Sequence, residues 1–450
     1  MTSGIDFTYK YAFPSGLMPA NDHGRPYLSL ATCDSNHEKP YFFDGKMRHP
    51  RIFGDMLVTL SDVVRTHYFL PSPGELDPVL TSNESLLRLE GFSGCCGVYA
   101  RVDLPAESFD GNCHGRGTTN VDFNTPMRNA LMRLRENDDV SFSVGQDEVA
   151  LTKGELKSVE KKVKLPLRWI KGFSEVQAYQ PRLELAMEVS ASDALRFIRS
   201  LPKSAKPKMP SYVVSAGRAL RLSQRPAKGA VQILGTHRVK TIEPLLPRAK
   251  TLKIWHDPNN GTSAWEVCYV VGSFFLMISP EVYRGFSGEG QALSQLSTPP
   301  DDKLIAQVRA QLKWQSEINA NEIAKTLNLP VETVNGALAV LGTRGLAGFD
   351  INKAQYFHRE LPFDMSKVEA MQPRLKNARK LIEKGLVDKI STAEQMPIYA
   401  ISGTGIIHRV ELRDKGDHCT CPWFSRYQGK RGPCKHILAA NIVEHTESSE

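Results

Sequence analysis

The chain has 450 residues, 41% of them apolar and 24% charged, which is the composition of an ordinary globular protein too long for one core. Its longest apolar run, VCYVVGSFFLMI, is interrupted by Gly272 and falls short of the roughly 18 to 20 residues of a membrane span. The start, MTSGIDFTYKYAF, lacks the charged-then-apolar pattern of a secretory signal, so a cytoplasmic protein without a membrane segment is expected.

Residues 1–200 read as a mixed α/β body. VSFSVGQDEVALT alternates Val140, Phe142 and Val144 before a turn, which predicts a hairpin. TPMRNALMRLRE places Met127, Ala130, Leu131 and Leu134 at helical intervals, and ASDALRFIRSLPK predicts a short helix capped by Ser192. Gly-Phe-Ser occurs at 91–93, 172–174 and 285–287. The last copy lies in SPEVYRGFSGEG, whose glycines suit a phosphate cradle or, the favoured reading, a structural turn.

The net charge of +8 is local. Residues 201–254 hold twelve Lys and Arg against the single acid Glu243, and the remainder of the chain carries −3. Such a stretch is either an anion or nucleic-acid surface or a solvated linker. We take 201–230 as linker-like and 231–296 as a strand-rich continuation of the body.

STPPDD then marks a boundary, and 301–363 reads as a winged helix-turn-helix. Helices are expected over 303–313, NEIAKTLNL and VETVNGALAVLGTRG, followed by a hairpin through Phe349, Ile351, Tyr356 and Phe357. Its third helix opens on Glu332, Thr333 and Asn335 and offers Arg344 only at its far end. A protein-contact or structural role is therefore as consistent as DNA reading. Residues 364–398 form a helical spacer whose start Pro373 interrupts.

Cys419, Cys421, Cys434 and His436 crowd into the last tenth of the chain, whereas the other cysteines are scattered. In an extended segment residues i and i+2 point the same way, so Cys419 and Cys421 can share an ion. Pro433 precedes a helix-like run, which places Cys434 before its start and His436 in its first turn. Three thiolates and an imidazole fill a tetrahedral shell of the kind zinc prefers, so one structural, non-hydrolytic Zn2+ is expected. Arg426, Lys430, Arg431 and Lys435 make the intervening loop basic and candidates for nucleic-acid or partner binding. Trp423 and Phe424 are expected to pack the underside of the module.

This Cys-x-Cys, twelve residues, Cys-x-His order resembles the SWIM-type zinc finger over 399–445. The resemblance implies DNA or protein binding without a catalytic role. LRLEGFSGCCGVYARVDL, GTTNVDF, LPLRWIKGF and SPEVYRGFSGEG also resemble bacterial proteins carrying this finger. That resemblance implies partnership with a MoxR-type AAA+ ATPase and a von Willebrand factor A protein.

No HExxH, GxSxG or Walker pattern occurs, and Cys95, Cys96, Cys113 and His114 make a poor chelating group. The expected fold is thus α+β and multidomain: a mixed α/β body, a winged helix module and a small zinc-bound strand-loop-helix finger. The expected function is a non-enzymatic adaptor or regulatory subunit; the alternative is a nucleic-acid-processing enzyme with an active site in the body.

Overall fold

In the computed structural model, residues 4–11, 14–18, 26–32, 42–68, 77–83, 85–145, 159–202, 209–361, 372–391, 396–403, 405–413 and 416–447 are described. The body is organised on an eight-stranded antiparallel sheet. Its strand order is Glu184–Ser190, Thr251–His256, Ser263–Tyr269, Gly272–Ile278, Val98–Pro105, Leu86–Phe92, Val79–Ser82 and Gly117–Asn120. Two segments of similar element order supply seven of its strands, and Gly117–Asn120 is the eighth. Strand 184–190, helix Ala191–Ser200 and three antiparallel strands ending at Ile278 make one unit. Strand Phe43–Met47, which pairs in a separate five-stranded sheet, helix Pro50–Arg65 and three antiparallel strands ending at Pro105 make the other. The last strands of the two units pair, Ile278 opposite Val98 and Ser273 opposite Asp103, and fuse the halves.

Period-2 alternation gives this sheet two different faces. Leu87, Leu89, Val98, Ala100, Val102, Trp265, Val267, Phe274 and Leu276 point into the larger core, against helices 50–65 and 191–200. The helix 191–200 is capped by Ser190, whose Oγ accepts from the Asp193 amide at 3.2 Å, and not by Ser192 as expected. A five-stranded sheet closes the far side of this core. Within it Ser141–Val144 pairs parallel to Tyr27–Leu30 and antiparallel to Phe43–Met47, and the rest of the expected hairpin lies outside the described residues.

The opposite face carries Phe92, Tyr99, Phe275 and Met277 against helix Leu167–Tyr179. Here the three Gly-Phe-Ser copies meet. Phe92 ends a strand, Phe173 sits inside the helix and Phe286 opens a 3-10 turn, so they are not equivalent turns. Their rings nevertheless converge, with Phe92 at 4.9 Å from Phe173 and 6.3 Å from Phe286.

The basic stretch is structured where it is described. Ser211–Ala216 and Ala219–Ser223 form a hairpin, joined by Val231–Ile233 into a three-stranded sheet; Lys203, Lys206 and Lys208 lie outside the described residues. Beyond it, helices Asp302–Arg309, Ala320–Leu327 and Val331–Thr343 share a core of Ile305, Val308, Ile323, Val334 and Leu338. The hairpin Ala347–Asp350 and Gln355–His358 follows and lies on the second face of the body sheet. Buried ion pairs fasten it there: Arg88 to Asp103 and Asp350, both at 2.6 Å, and Arg359 to Glu90 at 2.6 Å. Helix Pro373–Glu383 then begins at Pro373, which interrupts nothing because a first-turn residue has no intrahelical N–H bond to lose.

Candidate metal centre

Four antiparallel strands, Val387–Lys389, Ile398–Ser402, Ile407–Glu411 and His418–Cys419, form one wall of the C-terminal module. Helix Lys435–Glu447 packs across them beside helix 373–383. Tyr399 and Ile401 from the sheet and Leu438 and Ala439 from the helix fill the small core. Tyr399 donates to Glu444 at 2.5 Å and Lys389 pairs with Glu444 at 2.8 Å, which ties the end of the helix to the sheet.

The cluster sits where these elements meet. Cys419 ends a strand, Cys421 caps the short helix Pro422–Tyr427, Cys434 directly precedes the long helix, and His436 lies in its first turn. The helix 422–427 is new relative to the expected open loop. The four side chains are buried, and their ligand atoms lie within 4.8 Å of one another. Zn–S bonds of about 2.3 Å in tetrahedral geometry place neighbouring ligand atoms roughly 3.7 Å apart. Cys419 Sγ and His436 Nδ1 are already 3.8 Å apart.

Backbone amides are aimed at the sulfurs. Cys421 N donates to Cys419 Sγ, Phe424 N to Cys421 Sγ and Ile437 N to Cys434 Sγ, each at 3.4 Å. Such donors stabilise thiolate and orient the ligands. Hydrogen bonding with Cys419, then Cys434, holds Cys421 far below the ordinary thiol range, and bonding with Cys421, then Cys434, drives Cys419 far above it. Three sulfurs this close need a cation to be anionic together, and the donor set is soft and nitrogen-sulfur, as zinc prefers. With four protein ligands the shell is closed, so the ion would supply cross-linking of strand, loop and helix, and no open position for water.

Sequence reasoning placed the ligands but missed what holds the module to the body. Arg374 Nη1 donates to the carbonyls of Arg431 at 2.7 Å and Pro433 at 3.0 Å, and its Nη2 donates to the carbonyl of Glu289. Arg431 Nη2 donates to the Gly288 carbonyl at 2.9 Å. Both guanidiniums stack on Trp423, at 4.9 and 4.8 Å from its centroid. The segment SPEVYRGFSGEG thus forms a seat for the finger, with the Gly288 and Glu289 carbonyls as acceptors. Beneath the seat, the buried Glu175 accepts from the amides of Gln291 at 2.8 Å and Ala292 at 3.3 Å.

The four basic loop residues therefore have different surroundings. Arg426 and Lys430 are exposed, Arg431 faces the body, and Lys435 is half-buried at the helix start. Lys435 lines a cavity of about 370 Å3 with Arg374, Asn377 and His408, beside the cluster. Phe424 and Trp423 pack on the small core. Cys95 and Cys96 are buried in the body and do not join the cluster; the exposed Cys113 donates to the Asn83 carbonyl at 3.2 Å.

Among the described helices, none is long and apolar enough to cross a membrane. No curated protein matches the chain. Among solved structures, proliferating cellular nuclear antigen from Entamoeba histolytica is similar at 10% identity and a TM-score of 0.34, over 53% of this chain and 98% of that one. The SWIM zinc finger family profile matches residues 408–444, which span all four clustered ligands. The C-terminal module of this chain is accordingly a SWIM zinc finger, with a Cys3His cluster able to hold one zinc ion.

Proposed function

We propose that this protein is a non-enzymatic adaptor or regulatory subunit that presents its zinc finger to a partner from a fixed platform. The observation that carries the reading is the docking of the finger through Arg374 and Arg431 while Arg426 and Lys430 remain exposed beside the seat. A finger anchored by two stacked arginines offers its rim in one orientation, which lowers the ordering cost of binding. Arg426, Lys430 and Lys435 are the contact residues for a protein or nucleic-acid partner, and the four buried ligands are structural. The resemblance of the body to proteins that accompany MoxR-type ATPases and von Willebrand factor A proteins supports an assembly of that kind as the partner.

We read 301–363 as a winged helix module used for protein contact. Support comes from its hairpin, whose Asp350 and Arg359 are spent on the body sheet, and from Glu332 at the exposed start of its third helix. The test is affinity purification of the full chain from its host beside Arg426→Glu/Lys430→Glu. The expected result is loss of the co-purifying partner with zinc retained. Identical partners for both proteins would overturn the reading.

A further inference from the structure

The charge concentrated in residues 201–254 has a destination in the fold. Of its described cations, Arg238 is fully buried and spent on the carbonyls of Gly97 and Ser279, and Arg248 pairs with Asp55 at 2.9 Å. Arg221, Arg225 and Lys228 are different. All three are exposed, and none has a carboxylate partner among the described residues.

They converge on one cavity of about 490 Å3 between the three-stranded sheet 211–233 and the edge strand 184–190 of the body. Ser215 and Ser223 add hydroxyls to its wall, and Met187 lies on the strand side. No acidic, aromatic or carboxamide side chain lines it. Glu184 and Glu188 lie on that same edge strand, to either side of Ala186 and Met187, but not in the lining. Three basic side chains on one cavity with no acid in its lining give it a positive potential that favours an anion.

We propose that this cavity binds consecutive phosphates of a nucleic-acid backbone, independently of the zinc finger. Arg221 and Arg225 present guanidinium forks to phosphate oxygens, and Lys228, on the turn before Gly229, supplies a point charge at the rim. Without a ring to stack on or an amide to read base edges, the cavity selects charge and not sequence. Both hydroxyls are held in local turns, Ser215 Oγ donating to the Gly217 carbonyl at 3.1 Å and Ser223 Oγ to the Arg225 carbonyl at 2.9 Å. Ser223 Oγ also accepts from the Arg225 amide at 3.0 Å, so both hydroxyl protons are used locally and the anion is held by the three basic side chains.

The experiment is fluorescence anisotropy of the zinc-loaded full chain with a labelled single-stranded 20-mer and its duplex, across a salt series. Comparison is with Arg221→Ala/Arg225→Ala/Lys228→Ala and with Arg426→Glu/Lys430→Glu. Losing three phosphate contacts should lower the salt slope on the single strand by about 2 and weaken binding roughly 100-fold near 0.1 M salt. Two oligonucleotides of different sequence should bind alike, zinc content should stay at that of the parent, and the finger variant should bind as the parent does. Should the triple variant fail to fold, Lys228→Glu alone, on an exposed turn, is expected to lower the slope by about 1. Unchanged binding and slope in the body variants would overturn the proposal, as would loss of oligonucleotide binding in the finger variant alone. Pyrophosphate displacing the oligonucleotide at equal concentration would also overturn it, assigning the cavity to a small phosphorylated molecule.

Discussion

Arg431 Nη2 and the carbonyl of Gly288 are 2.9 Å apart, a hydrogen bond that spans 143 positions of sequence and joins finger to body. Arg374, on the helix between them, closes the same joint from the other side through Arg431, Pro433 and Glu289. The zinc ligands Cys421 and Cys434 flank the docking loop. A metal-ordered loop and an intramolecular interface are therefore one construction.

Gly432 tests that construction. Its φ is +73°, and a Cβ there would overlap the carbonyl of Gly290 on the seat. Gly432→Ala is expected to destabilise the joint by about 2 kcal/mol or more, from left-handed strain and steric overlap together. Limited proteolysis should show faster cleavage around residue 290, with zinc still bound. Protection equal to that of the parent would show that the seat is not closed in solution.

Zinc stoichiometry should be one per chain, and Cys434→Ser should abolish it, because three ligands leave the shell open. A small module that owes its closure to an ion unfolds when the ion is removed. Chelation should accordingly reduce helical circular dichroism by an amount consistent with helix 435–447 and leave the body transition in place. Full metal content in Cys434→Ser would remove that cysteine from the ligand set.

The finger was legible in sequence because its signal is local: four ligands within eighteen residues, a proline before a helix, and i, i+2 geometry. Local periodicity also marked the helices at 125–133, 320–327 and 331–343. What stayed hidden is non-local. Nothing in the sequence joins Arg374 to the carbonyl of Arg431, or Arg88 to Asp350, because a long-range hydrogen bond or ion pair leaves no periodicity. The short strand 141–144 gave its alternation but not its parallel partner, Tyr27–Leu30. Gly-Phe-Ser recurs in the sequence without saying where its copies lie; burial gathered three differently folded copies into one aromatic core. Charge content pointed to 201–254, yet only the fold separated the buried Arg238 from the exposed Arg221.

Glu175 predicts how the seat responds to pH. Burial, and next the neighbouring Glu289, push its carboxyl from 4.5 up to about 7. Between those values the folded state holds a proton that the unfolded state has released. Its contribution to stability is thus present in full below about 4.5 and is lost as pH rises through 7, on the order of 3 kcal/mol. Zinc binding has the opposite slope, because its ligands must lose protons. The comparison that isolates the carboxyl is the parent against Glu175→Gln, by denaturant midpoints from pH 5 to 8. The parent should lose stability relative to the variant across that range; parallel curves would show that Glu175 is ionised in the fold.

The pair Glu90 and Arg359 fixes the hairpin 347–358 to the body, and its energetics follow from burial. Both side chains are buried, and Glu90 Oε1 accepts from Arg359 at 2.6 Å and from Tyr99 at 2.5 Å. Burial alone would raise the Glu90 carboxyl, but Arg359 and the Tyr99 hydroxyl overcome it and hold the group below its ordinary range. Arg359→Met leaves that carboxylate without its cation in a dry site, and should cost about 3 to 5 kcal/mol. Glu90→Leu strands the guanidinium instead and should cost a similar amount. The double variant removes both charges together and should recover most of the loss, since a buried pair nearly balances its own desolvation. Denaturant unfolding of the four proteins gives the coupling directly. Additive losses in the double variant would mean that the two groups do not meet, and that the hairpin is held by its other bonds to the body, among them Arg88 to Asp350 and Arg101 to the Phe349 carbonyl.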